Sequence, residues 1–146
     1  MSLSTKSFRA TVLTLAAISG VIAIVDVAGI IPRVLKISYP GANPEGAATG
    51  FGLNAGMYLL MAIGLIAIAL RSTDSSSRRP GALSGIGVLS LLLALALLDA
   101  FDAFRKEPVL AFANNLVLLS AILGFMLGVL LIIAAIVFRK RRTVAD

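Results

Sequence analysis

The sequence predicts an all-α integral membrane protein, an antiparallel bundle of four transmembrane helices. Three observations point there: four apolar runs of spanning length, too few charges to clothe a water-soluble domain, and basic residues that favour alternate connections. Of the 146 residues, 59% are hydrophobic and only 14% are charged, and the mean hydropathy is +1.02. Soluble domains average roughly half apolar and about a quarter charged residues. A chain this short cannot bury such a surplus in its own core, so the surplus must face lipid.

The apolar runs cover about residues 10–31, 51–70, 82–101 and 109–138, followed by a basic tail at 139–146. Together they make one membrane domain spanning 1–146. About 20 residues at 1.5 Å each cross the roughly 30 Å hydrocarbon core, and each run reaches that length. The runs are continuous and rich in Ala and Leu, whereas membrane strands alternate apolar and polar residues over about ten positions. Helix one is expected to stop at Pro32, which has no N–H for the helical ladder. Lys6 and Arg9 precede it in the manner of a signal peptide. Its length and the lack of a small-residue cleavage site predict a retained helix instead. The fourth run is longer than a span requires, so it must tilt or carry Asn114 and Asn115 into the headgroups.

The connections at 71–80 and 102–108 are short, and the second forces helices three and four to lie antiparallel side by side. The connection at 32–50 is longer. It holds a brief amphipathic piece, Arg33 to Ile37, and the turn-forming Tyr39-Pro40-Gly41 and Asn43-Pro44-Glu45-Gly46. It is expected on the outer membrane surface or over the end of the bundle. Nine Lys and Arg residues fall on the side carrying both termini and four on the other. The positive-inside rule therefore predicts cytoplasmic termini, in a plasma or inner membrane. Phe8 and Phe138 are expected at the inner boundary.

Lipid provides no hydrophobic incentive for helices to associate, so small residues must let them approach closely. Ser120, Gly124 and Gly128 make such a ridge on helix four. Gly81 with Gly85 on helix three and Gly52 with Gly56 on helix two repeat the spacing. On helix one, Ala16, Ser19, Ala23, Asp26 and Gly29 share a stripe.

Charges inside a membrane are costly, and two carboxylates fall within the spans: Asp26 and Asp99. Both lie roughly 24–26 Å along their helices from the inner side. With Asp102, one turn after Asp99, and with Asn54, Asn114 and Asn115, they are expected to form one polar layer near the outer boundary. The inner two-thirds of the bundle is expected to be nearly bare of polar groups. One reading of the layer is a shallow vestibule for a cation, a proton or a polar headgroup. The simpler one pairs Asp102 with Arg105 and Lys106 and gives Asp26 a loop base or a polar neighbour.

Cys and His are both absent, which removes disulfides, thiolate zinc sites, iron–sulfur clusters and His-dependent nucleophilic catalysis. No cofactor or metal signature is present and no enzyme class is indicated. The net charge of +6 belongs to helix ends, so no nucleic-acid partner is expected. The run Arg139, Lys140, Arg141 and Arg142 is expected to anchor on anionic lipids. The leading functional expectation is a non-catalytic membrane subunit that packs against itself or other membrane subunits within the bilayer. The alternatives are a small channel or ion-coupled transporter using Asp26 and Asp99, and a metal-dependent lipid-modifying enzyme using Asp99 and Asp102.

Overall fold

The computed structural model describes residues 3–34, 44–71, 80–104 and 111–145, with side chains placed within 5–28, 52–71, 80–98 and 115–141. These residues form four helices and no strand: α1 Leu3–Val34, α2 Pro44–Arg71, α3 Pro80–Phe104 and α4 Ala111–Ala145. Each contains a segment long and apolar enough to cross a membrane: Thr5–Ala28, Gly52–Arg71, Pro80–Leu98 and Leu118–Arg141.

The helices outrun the apolar runs, because hydropathy marks where lipid begins and not where backbone hydrogen bonding stops. Pro32 does not end α1, which continues to Val34. Its missing N–H removes one bond, to the Ala28 carbonyl, and the loss is confined to that bond because the helix ends two residues later. Pro44 and Pro80 stand at the first positions of α2 and α3, where an N–H has no helical partner to lose. The long first connection is correspondingly shorter than expected. Its remainder, with Lys36, Ile37 and Tyr39, lies outside the described residues, as do the Ser-rich turn and Arg105 and Lys106. The basic tail is not an extension beyond α4 but its last turns, through Arg139, Lys140 and Arg141 to Ala145.

Residue pairings show that sequence neighbours run antiparallel. Arg9 near the start of α1 reaches Ala69 and Leu70 at the end of α2, and Ser90 of α3 reaches Gly124 of α4. Across α1 and α4, Phe8 meets Phe138 and Asp26 meets Ser120. Those contacts are 18 residues apart on both helices, so one register holds for about 27 Å. Both termini therefore share one end of the bundle, called here the terminal end. Helices α1 and α2 form one close pair, α3 and α4 another, and α1 packs on α4 to join them.

Polarity is turned inside out relative to a soluble bundle. Ile24 is 70% exposed and Leu53 67% exposed, as are large apolar side chains on all four helices, while Ser19, Asp26, Asn54, Ser90 and Ser120 are buried. The half of the core toward the terminal end is apolar except for the buried Thr5 near the start of α1, and is filled by Phe8, Val12, Leu65, Leu83, Leu127 and Leu131. At that end Arg9 donates from Nε to the Ala69 carbonyl at 3.0 Å and from Nη2 to the Leu70 carbonyl at 3.1 Å. These are carbonyls that the end of α2 leaves without helical partners, and the cation also suits the negative end of the helix dipole.

Glycine sets the closest approach. A Cβ on Gly87 would lie 2.9 Å from the Gly128 carbonyl oxygen, and one on Gly128 would lie 2.8 Å from the Gly87 oxygen. Backbone faces backbone there, so nothing flexible can yield. Gly128 thus packs inside the bundle, but its counterpart on α3 is Gly87 and not Gly85. A Cβ on Gly85, Gly81, Gly52 or Gly56 would meet nothing within 4 Å. Gly87→Ala and Gly128→Ala should each lower stability by about 1–3 kcal/mol, whereas Gly85→Ala should stay within about 1 kcal/mol of wild type. Reversible unfolding in mixed micelles followed by circular dichroism measures the difference.

Candidate functional site

Asp26 occupies the meeting point of three helices toward the far end of the bundle, and it is 1% exposed. Asn54 of α2 donates its Nδ2–H to Asp26 Oδ2 at 2.5 Å, and Ser120 of α4 donates its hydroxyl to Oδ1 at 2.6 Å. Each carboxylate oxygen thus has one donor, each from a different helix. Lipid could supply neither bond. An ionised carboxyl keeps both donors; a protonated one keeps Asn54 and can donate to the Ser120 oxygen instead. The junction therefore holds in either state.

One to two turns nearer the terminal end lies a second polar layer. The Ser19 hydroxyl donates to the Tyr58 carbonyl at 2.6 Å. The Tyr58 hydroxyl lies 3.2 Å from Ser90 Oγ, and the Ser90 hydroxyl donates to the Gly124 carbonyl at 2.7 Å. Because the Ser90 proton is directed at Gly124, Tyr58 is the donor to Ser90. The chain Ser19–Tyr58–Ser90–Gly124 visits α1, α2, α3 and α4 in turn. Tyr58 thereby spans the gap between α2 and α3, which otherwise scarcely touch. Gly124 makes room for it: a Cβ there would run into the Tyr58 hydroxyl and lie 3.2 Å from Tyr58 Cζ.

Of the residues expected in the far-end polar layer, the structure brings Asp26 and Asn54 together. Ser120, read from the sequence as part of a packing ridge, is the third member and acts as a hydrogen-bond donor. Asn115 is exposed and stands apart from them. Asp99 and Asp102 lie on the last turns of α3 and Asn114 on the first turn of α4, with side chains outside the described residues, as is that of Arg142. The interior is not bare below Asp26, because Ser19, Tyr58 and Ser90 form the second layer. Sequence reasoning missed this layer for a simple reason. Isolated Ser residues in Leu- and Ala-rich runs carry no spacing signal, and a single Tyr such as Tyr58 within such a run carries none either.

Chemically, the site offers one carboxyl, one amide and four hydroxyls, all engaged with each other or with backbone. No group of three His, Cys, Asp or Glu side chains is gathered among the described residues. Beyond the second layer the interior toward the terminal end is the apolar core, so no continuous polar path crosses the described residues. Comparison with protein families, curated proteins and solved structures finds no match to this chain.

Two outcomes test the site's geometry. Asp26→Ala should lower stability by about 2–3 kcal/mol, since it leaves the Asn54 and Ser120 donors unpaired in a water-free interior. A double-mutant cycle with Ser120→Ala should show coupling on the order of 1 kcal/mol; additive losses would mean the bond is absent. Gly124→Ala should destabilise by about 1–3 kcal/mol, and Tyr58→Phe, which removes the obstructing oxygen, should restore part of that loss when the two are combined. Both are read from unfolding midpoints in micelles.

Proposed function

We propose that this chain is a non-catalytic membrane subunit that associates through its lipid-facing surface, with copies of itself or with other membrane helices. One observation carries the reading. A groove of about 680 Å³ runs between α1 and α2 on the outside of the bundle, lined by Ala17, Gly20, Ala23, Ala55 and Gly56 and walled by Val27 and Leu59. A Cβ on Gly20 or Gly56 would meet nothing within 4 Å. Small-residue surfaces of this kind let a second helix approach closely in lipid. The engagement of the interior polar groups with one another supports the same reading, since it leaves the outer surface as the place for specific contact. The excess of Lys and Arg near the shared terminal end supports cytoplasmic termini, in a plasma or inner membrane.

The competing reading, an ion-coupled transporter, draws on Asp26 as a buried carboxyl. It requires the apolar half of the core to open, and reconstituted vesicles distinguish it: flux abolished by Asp26→Asn would favour transport. For the subunit reading, mild extraction and native mass spectrometry should recover an assembly. Gly20→Leu and Gly56→Leu should shift it toward single chains while changing each chain's own stability by less than about 0.5 kcal/mol. Gly85→Leu, on α3, serves as the control and should leave the assembly intact. A lone monomer for the wild type at every protein concentration would contradict the proposal.

A further inference from the structure

At the terminal end a second, smaller groove lies between α1 and α4, with a volume of about 280 Å³. Its character changes along its length. Its apolar part is built by Leu15, Leu130, Ile133 and Val137, its mouth carries Ser7 and Arg141, and Thr11 lies one turn further in. From Ser7 to Leu15 the groove follows α1 for about 12 Å, close to the depth of one leaflet, roughly half of a 30 Å core. Ile133 is 50% exposed, Leu130 40% and Val137 39%, so their apolar faces are open to an occupant from the bilayer.

Arg141 is set at the mouth by a specific arrangement. Its guanidinium stands over the Phe138 ring, 5.6 Å from the centroid, within cation–π range. Phe138 is in turn held edge-to-face by Phe8, with centroids 4.8 Å apart and planes at 88°. Because α4 remains helical through the basic run, successive cations point in different directions. Val137 and Arg141 are four apart and share the groove face, while Arg139 lies about 200° around the helix from Arg141.

We infer that this groove binds one anionic phospholipid, with an acyl chain on its apolar floor and the phosphate on Arg141. Arg141 supplies the planar fork suited to a phosphate, and Ser7 and Thr11 place hydroxyls where the glycerol and ester oxygens of the lipid would lie. A uniformly apolar occupant, such as a helix of a second copy, would leave the cationic, hydroxyl-bearing mouth without a counterpart. The groove is separate from the α1/α2 surface, so the inference stands independently of the subunit reading.

The test uses the full chain reconstituted with equal amounts of phosphatidylglycerol and phosphatidylcholine of matched acyl chains, extracted in mild detergent and weighed by native mass spectrometry. One phosphatidylglycerol per chain should be retained, with about a tenfold preference over phosphatidylcholine. Arg141→Gln should reduce retention about tenfold, and Arg139→Gln should leave it within about threefold. Val137→Trp fills the groove while keeping the charge, and should also abolish retention; Ile133→Phe is the milder substitute if the tryptophan impairs folding. Unfolding midpoints report that each variant is folded. Equal losses for Arg139→Gln and Arg141→Gln would reduce the effect to diffuse surface attraction and overturn the inference. Undiminished retention in both groove-filling variants would overturn it as well. So would loss of a dimer in Val137→Trp with lipid retention unchanged, because a second copy would then be the occupant.

Discussion

A carboxylate inside hydrocarbon must find its hydrogen-bond donors in the protein, and this requirement organises the bundle around Asp26. The donors come from Asn54 on α2 and Ser120 on α4, so satisfying one side chain sets the rotation and height of two helices against a third. Hydrophobic burial could not do this. Lipid tails are as apolar as leucine, and an apolar helix gains nothing by turning one greasy face inward over another. The polar groups supply what the apolar majority lacks, which is a preference for one arrangement.

The same logic extends along the bundle. Tyr58 carries the connection from α1 through α2 to α3, and Ser90 passes it to α4. Close packing then takes over between α3 and α4, where Gly87 and Gly128 bring the two backbones together. At the terminal end the Phe8–Phe138 pair and the Arg9 cap hold the helix ends. Each device is local and modest, on the order of 1 kcal/mol for an interhelical hydrogen bond in a membrane protein. They are spaced along nearly the whole membrane thickness and give the four helices a single register.

Much of this was legible in the sequence, and the boundary of legibility is physical. Length and hydropathy identify spans because lipid imposes both, so four helices and their alternation follow directly. Depth arithmetic also put Asp26 and Asn54 near the same end of the bundle. Rotation about each helix axis is another matter. Gly81 and Gly85 have the favoured four-residue spacing, yet α3 turns Gly87 toward α4, and Gly85 and Gly87 lie about 200° apart on the helix. Pattern alone gives no reason to choose between them in a helix that is apolar all round. For the same reason Ser120 read as a small residue rather than a donor, and Ser19 and Ser90 were silent. Arg9 was counted toward topology, while its role as a cap on α2 depends on a contact across 60 residues of sequence.

With the interior polar groups engaged, the described residues carry two grooves of opposite character on their lipid-facing surface. One is apolar and lined by small residues between α1 and α2; the other is amphipathic, between α1 and α4. Both depend on α1 being held in place by the Asp26 junction. The most direct measurement of that junction is a dipolar-recoupling distance in lipid bilayers between the Asp26 side-chain carboxyl carbon and the Asn54 side-chain nitrogen. The Asn54 signal would be assigned by its loss in Asn54→Ser. Direct hydrogen bonding places these atoms within about 4 Å. A separation beyond about 6 Å would mean that no such bond forms, and the arrangement of helices built upon it would fall.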